Sequence, residues 1–172
     1  MKLVRHISTL LRYVAILLAG VYWLTCIYMI ISVVFRLPSF ALQPENRFVI
    51  YYPFTQVRFL LGSNFTFNYV AEMSLVMLLY GLFFYLLANV FKAFRQKKLF
   101  TQYGIRQLKF FYLYNFIHPL ILVLAFNFFA TGEDYPAGFI VMAHFIIGIF
   151  AYFIMAIFKE GAGLQNEQDL FI

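Results

Sequence analysis

The stretch YPAGFIVMAHFIIGIFAYFIMAIF, residues 135–158, runs for 24 residues without an Asp, Glu, Lys or Arg. A helix rises about 1.5 Å per residue, so this length covers the ~30 Å hydrocarbon core of a bilayer. Working outward, three more windows lack those four residue types: Tyr13–Phe35, Met73–Phe91 and Phe110–Gly132, of 23, 19 and 23 residues. Backbone groups in lipid must find partners within their own segment, which leaves helices or a closed barrel. A barrel needs alternating strands of about ten residues, and unbroken apolar runs do not supply them. The expected fold is an all-α integral membrane protein, a four-helix transmembrane bundle. Its spans fall at about 13–35, 70–91, 110–131 and 137–158.

Composition agrees. Of 172 residues, 64% are apolar, 22% aromatic and 12% charged, against about 45–50% apolar and about 25% charged in a soluble domain. Disorder and a disulfide scaffold are excluded by the same balance, and Cys26 has no second cysteine to pair with. Lys2, Arg5 and Arg12 precede the first window as in a secretory leader. However, the apolar run exceeds the roughly 7–15 residues of a signal core, and Val33-Val34-Phe35 makes a poor cleavage site. An uncleaved first span is expected.

Charge sets the orientation. The N-terminal tail carries three bases, and the segment 92–109 carries Lys92, Arg95, Lys97, Lys98, Arg106 and Lys109, with no acid in either. The turn between the last two spans carries Glu133 and Asp134 and no base. Basic loops stay in the cytoplasm, so both termini are expected inside and residues 36–69 outside. A net charge of +6 invites a nucleic-acid reading. Six bases in one short loop are what topology requires, facing anionic headgroups, and no direct nucleic-acid partner is expected.

The first external loop is too apolar for a solvated linker. Arg47–Tyr52 and Val57–Leu61 favour strand, Gly62-Ser63-Asn64 signals a turn, and Phe65–Tyr69 alternates apolar with polar residues. A small β-hairpin is expected there, with an amphipathic interfacial segment as the alternative. On the other side, Thr101 is placed to cap a helix beginning near Gln102, with Phe100 and Ile105 as a hydrophobic staple. Gly161 and Gly163 read as the end of the last helix. The tail 159–172 that follows is acidic and is expected to dock on the basic loop, with Leu164, Leu170 and Phe171 packing on Phe100 and Ile105; a frayed, solvated tail is the alternative.

That tail, Phe158-Lys-Glu-Gly161-Ala-Gly-Leu164-Gln-Asn-Glu167-Gln-Asp169-Leu170-Phe-Ile172, resembles a closing signature of approximately F-x-x-G-x-x-L-x-x-E-x-D-L-T-I. The signature belongs to bacterial membrane proteins grouped as the domain of unknown function 2975 family. Lys98-Leu-Phe100-Thr101 with Leu108 is similar to that family's second landmark. Phe171 stands where Thr is usual, and Gly104 where Asn is common. The resemblance implies a four-helix protein of the bacterial inner membrane, sometimes encoded beside a helix-turn-helix regulator. It implies no activity.

Three ionisable residues fall within spans, where they are functional candidates by default: Glu72, His118 and His144. Measured from the cytoplasmic window ends at about 1.5 Å per residue, they lie roughly 28, 12 and 21 Å deep. Zinc holds its ligands at about 2.0–2.2 Å, so such a spread excludes a shared metal site. Glu72 is expected at the outer interface, reaching headgroup water or pairing with Arg47 or Arg58. His118 or Asn115 is expected to satisfy the carbonyl that Pro119 deprives of its donor. His144 falls at the depth of Thr25 and Cys26, within reach of a bond across helices. Each reading is structural.

No Ser-His-Asp set, carboxylate pair, phosphate loop or Cys/His cluster appears, so no catalytic residue, cofactor or metal is expected. The expected function is a non-enzymatic interaction or sensory protein of the inner membrane. Its cytoplasmic face would engage a partner such as a helix-turn-helix regulator through Lys97, Lys98, Phe100, Thr101, Arg106, Leu108, Gly161, Leu164, Glu167 and Asp169. The alternative is a small transporter, channel or immunity-type protein.

Overall fold

The computed structural model describes residues 2–96, 98–129 and 137–169. It contains four long helices: α1 (Lys2–Val34), α2 (Phe67–Phe94), α3 (Gln102–Phe129) and α4 (Ala137–Asp169). All four are long and apolar enough to cross a membrane. Helix α1 packs on α2, α2 on α3 and α3 on α4. Outward-facing positions are large and apolar, such as Leu17, Leu24, Leu124 and Phe150, as lipid-facing surfaces require.

Lipid offers no hydrophobic drive between helices, so close packing and hydrogen bonds must hold them together. The α1–α2 seam shows both. Ala15, Ala19 and Cys26 on α1 are buried, as are Ser74, Gly81 and Ala88 on α2, the latter three spaced seven apart. The Trp23 indole lies over Gly81, where a Cβ would sit 2.1 Å from Nε1, and it donates to the Leu78 carbonyl at 3.3 Å. This explains a tryptophan in mid-span. Cys26 Sγ contacts the Ser74 carbonyl at 3.6 Å.

Between α1 and α2 lies an antiparallel three-stranded sheet, β1 (Phe40–Leu42), β2 (Phe48–Tyr51) and β3 (Arg58–Gly62), in that spatial order. The expected hairpin is β2–β3, with Phe48 opposite Gly62 and Ile50 opposite Leu60. Strand β1 adds a third member, pairing Phe40 with Ile50 and Leu42 with Phe48. The turn into β2 puts Glu45 and Asn46 in the left-handed region, and Asn46 Nδ2 reaches Asn64 Oδ1 at 2.7 Å. Phe48, Ile50 and Leu60 form a core with Met29 of α1 and Tyr69 of α2. The Tyr28 hydroxyl ties α1 to the sheet through the Tyr51 carbonyl at 2.8 Å. The sheet is thus fastened to the helix ends.

Two boundaries differ from expectation. Phe65–Tyr69 does not continue the strands, because the Thr66 hydroxyl accepts from the Tyr69 amide at 3.3 Å and starts α2. Helix α4 does not end at Gly161 and Gly163 but continues to Asp169. Gly161 is there for space, since a Cβ would fall 2.6 Å from the Phe100 ring.

Candidate functional site

Helix α3 begins at Gln102, as expected, capped by the Thr101 hydroxyl, which accepts from the Gly104 amide at 3.1 Å. Gly104 then packs against the Phe158 ring. That register decides what happens deeper in the bundle. Gly104 lies six residues before Phe110, so α3 and α4 are offset by about 9 Å from a pairing of Phe110 with Phe158. The offset equals the whole depth difference expected between His118 and His144. The two rings meet, and the expectation that depth keeps them apart is overturned.

His118 Nδ1 lies 3.1 Å from His144 Nε2, and His144 Nδ1 lies 2.9 Å from Asn115 Oδ1. Asn115 Nδ2 donates to the Phe111 carbonyl at 2.8 Å. Asn115 and His118 are fully buried, and His144 is 5% exposed. Gly148 makes the approach possible, with its Cβ position 3.4 Å from the Asn115 Cβ. The Tyr114 ring stacks on His118 at 5.1 Å, Tyr80 meets it edge-on at 5.2 Å, and Phe83 meets His144 edge-on at 5.4 Å. Aromatic walls keep lipid from the polar atoms.

The chain has a direction. The Phe111 carbonyl can only accept, which fixes the Asn115 amide nitrogen there and turns its oxygen to His144. That oxygen requires a proton on His144 Nδ1. With one proton per ring, His144 Nε2 then accepts from His118 Nδ1–H. His118 Nε2 is left as a lone pair, buried and without a hydrogen-bond partner among the described residues. Among the described residues no three His, Cys, Asp or Glu side chains are grouped to hold a metal. What such a nitrogen can take is a proton or a single small donor.

Other expected partnerships are corrected here. The Asn115 and His118 side chains bond to Phe111 and His144, so neither serves the carbonyl freed by Pro119. His144 bonds to α3 and not to Thr25 or Cys26. Glu72 is 1% exposed, enclosed within the bundle, and Arg47 pairs with Glu45 at 3.1 Å. It sits eight residues along α2 from Tyr80, about 12 Å from the histidine level.

At the far end of α3 and α4 the two landmark segments meet. The Phe158 ring is buried edge-on against Phe94 and Phe100, in a cluster with Val90, Leu108 and Phe111. Phe100, Thr101, Leu108 and Gly161 are therefore engaged within the fold. Lys98, Arg106 and Glu167 are exposed around them. Leu164 is 62% exposed and does not pack on Phe100. Ring contacts from Phe158 and the bare face of Gly161 take its place. Asp169 closes α4, and Lys97, Leu170, Phe171 and the Glu133-Asp134 turn lie outside the described residues.

Four candidate spans, a sheet fastened to one end and a ring-packed clasp at the other define a multi-pass membrane protein. No protein family, curated protein or solved structure matches the chain.

Proposed function

We propose that the protein is a non-enzymatic interaction or sensory component of a bacterial inner membrane, acting through the end of the bundle that carries the clasp. The observation carrying this reading is the packing of Phe100 against Phe158 and Gly161. It holds the basic α2–α3 loop and the end of α4 as one rigid unit, with Lys98, Arg106 and Glu167 on its outside. Exposed charges of both signs can steer and orient a protein partner of complementary charge. Basic loops face the cytoplasm, so the partner is soluble and cytoplasmic. The resemblance of the tail and of Lys98–Thr101 to the domain of unknown function 2975 family, whose members are sometimes encoded beside a helix-turn-helix regulator, favours such a regulator in that role. The test is a photoreactive residue at 98, 106 or 167 in native membranes. A discrete protein adduct there, absent with the probe at position 58 beside the sheet, is the expected result. Lipid adducts alone, or the same protein adduct at position 58, would overturn the reading.

A second reading, a small transporter or channel, draws on one observation: the buried His118 nitrogen with no partner. It requires proton-coupled flux in vesicles that disappears in a His118→Gln variant inserted at normal levels. Under the first reading that variant keeps its crosslinks at 98 and 106.

A further inference from the structure

At the end of the molecule opposite the sheet, α1 and the C-terminal cap of α2 border an open cleft of about 390 Å³ lined by Arg5, His6, Thr9 and Arg95. Its walls come from two helices whose pairing is fixed deeper down by Trp23 on Gly81, so the cleft belongs to the α1–α2 seam. Two guanidiniums and an imidazole line one space, and among the described residues no carboxylate does. Nor is one in reach along these helices. Helix α1 contains no Asp or Glu, and the single acid of α2, Glu72, lies 23 residues from Arg95, about 34 Å away. One turn deeper on the same face of α1, Arg12 has its Nε buried without a hydrogen-bond partner. A buried cationic donor without an acceptor is costly. Among the described residues this donor set lacks an anion.

Depth says which anion. Helix α1 has 33 residues, roughly 50 Å, which exceeds the ~30 Å hydrocarbon by about 20 Å. Its sheet end is held by Tyr28 and Met29, so the excess emerges at residues 2–14. Arg12, Thr9 and Arg5 then fall at increasing heights through the headgroup layer. Guanidiniums bind phosphate oxygens in paired hydrogen bonds, and Leu10, Leu11 and Val14 beside them are exposed to acyl chains.

We propose that this cleft is a binding site for the phosphate headgroup of an anionic phospholipid. Arg5 and Arg95 clasp the phosphate, Arg12 supplies the donor nearest the acyl chains, and His6 closes the rim. Binding bridges α1 to α2 at the end the sheet does not reach.

The test is native mass spectrometry of the full chain in detergent, with phosphatidylglycerol or phosphatidylcholine added. The Arg5 and Arg95 guanidiniums together contribute about 30-fold to the preference for phosphatidylglycerol. That contribution is expected to be lost in Arg5→Ala/Arg95→Ala, leaving only what Arg12 supplies, and to persist in Lys98→Ala/Arg106→Ala, which removes equal charge from the clasp end. On the unaltered chain, a phosphatidylglycerol analogue with a photoreactive headgroup is expected to mark residues 5–12 and 92–96. Equal retention of both lipids, equal loss in the two double variants, or labelling elsewhere would overturn the proposal. Displacement of phosphatidylglycerol by inorganic phosphate would also overturn it, assigning the cleft to a soluble anion.

Discussion

Phe48→Ala is expected to release the sheet while the helices persist. Phe48 is 1% exposed at the centre of β2, with Phe40, Phe65 and Tyr69 around it at ring-centroid distances of 6.0, 5.8 and 6.2 Å. Its ring also covers Gly62 on β3, where a Cβ would fall 2.0 Å away, so the space was shaped for it. Truncating a buried Phe to Ala costs about 3–5 kcal/mol. A three-stranded sheet has little stability beyond such packing. Trypsin cleavage after the exposed Arg47 and Arg58 reads the opening directly. It is expected to accelerate at least about 100-fold where cleavage follows the opening equilibrium, with helix content by circular dichroism unchanged. Unaltered cleavage would mean that Phe48 does not hold the sheet to α1 and α2.

Phe158→Ala is expected to have a comparable effect at the other end. The ring is 3% exposed and stands edge-on to Phe94 and Phe100 at 5.3 and 5.4 Å. Its removal leaves a cavity among α2, α3 and α4, again at about 3–5 kcal/mol. Gly161→Leu attacks the same contact by overpacking, at about 1–3 kcal/mol. Gly163→Leu is the control, because a Cβ there meets nothing within 4 Å and leucine favours helix over glycine. Thermal unfolding in detergent is expected to drop for Phe158→Ala and Gly161→Leu and to hold or rise for Gly163→Leu. Equal behaviour of the two glycine variants would dissolve the clasp.

Four spans were legible because charge-free runs of 19 to 24 residues admit few other structures. The cap at Thr101 and the β2–β3 hairpin were legible for local reasons, a hydroxyl before a helix and β-prone runs flanking a turn. Strand β1 was not, since three residues carry too little pattern and its partner lies beyond the Pro44–Asn46 turn. The histidine chain was missed through one assumption. Lys109 was read as the membrane boundary, yet an exposed lysine on a continuous helix places no limit on how far that helix pairs with its neighbour. Helix register is set by packing, here by Phe158 on Gly104 and by Gly148 beside Asn115. Gly161 misled in the same way: chain alone suggests termination, and only the Phe100 ring reveals a need for space.

The proposed cytoplasmic partner requires the clasp end to face the cytoplasm, and labelling with a membrane-impermeant maleimide in intact cells tests that orientation. Cys26 is fully buried, and Cys26→Ser gives a background in which a hydroxyl can still donate to the Ser74 carbonyl. Phe54 stands fully exposed at the tip of the β2–β3 turn, and Lys98 is exposed beside the clasp. Phe54→Cys is expected to be labelled in intact cells, and Lys98→Cys only after permeabilisation. Labelling of Lys98→Cys from outside, with Phe54→Cys protected, would contradict it.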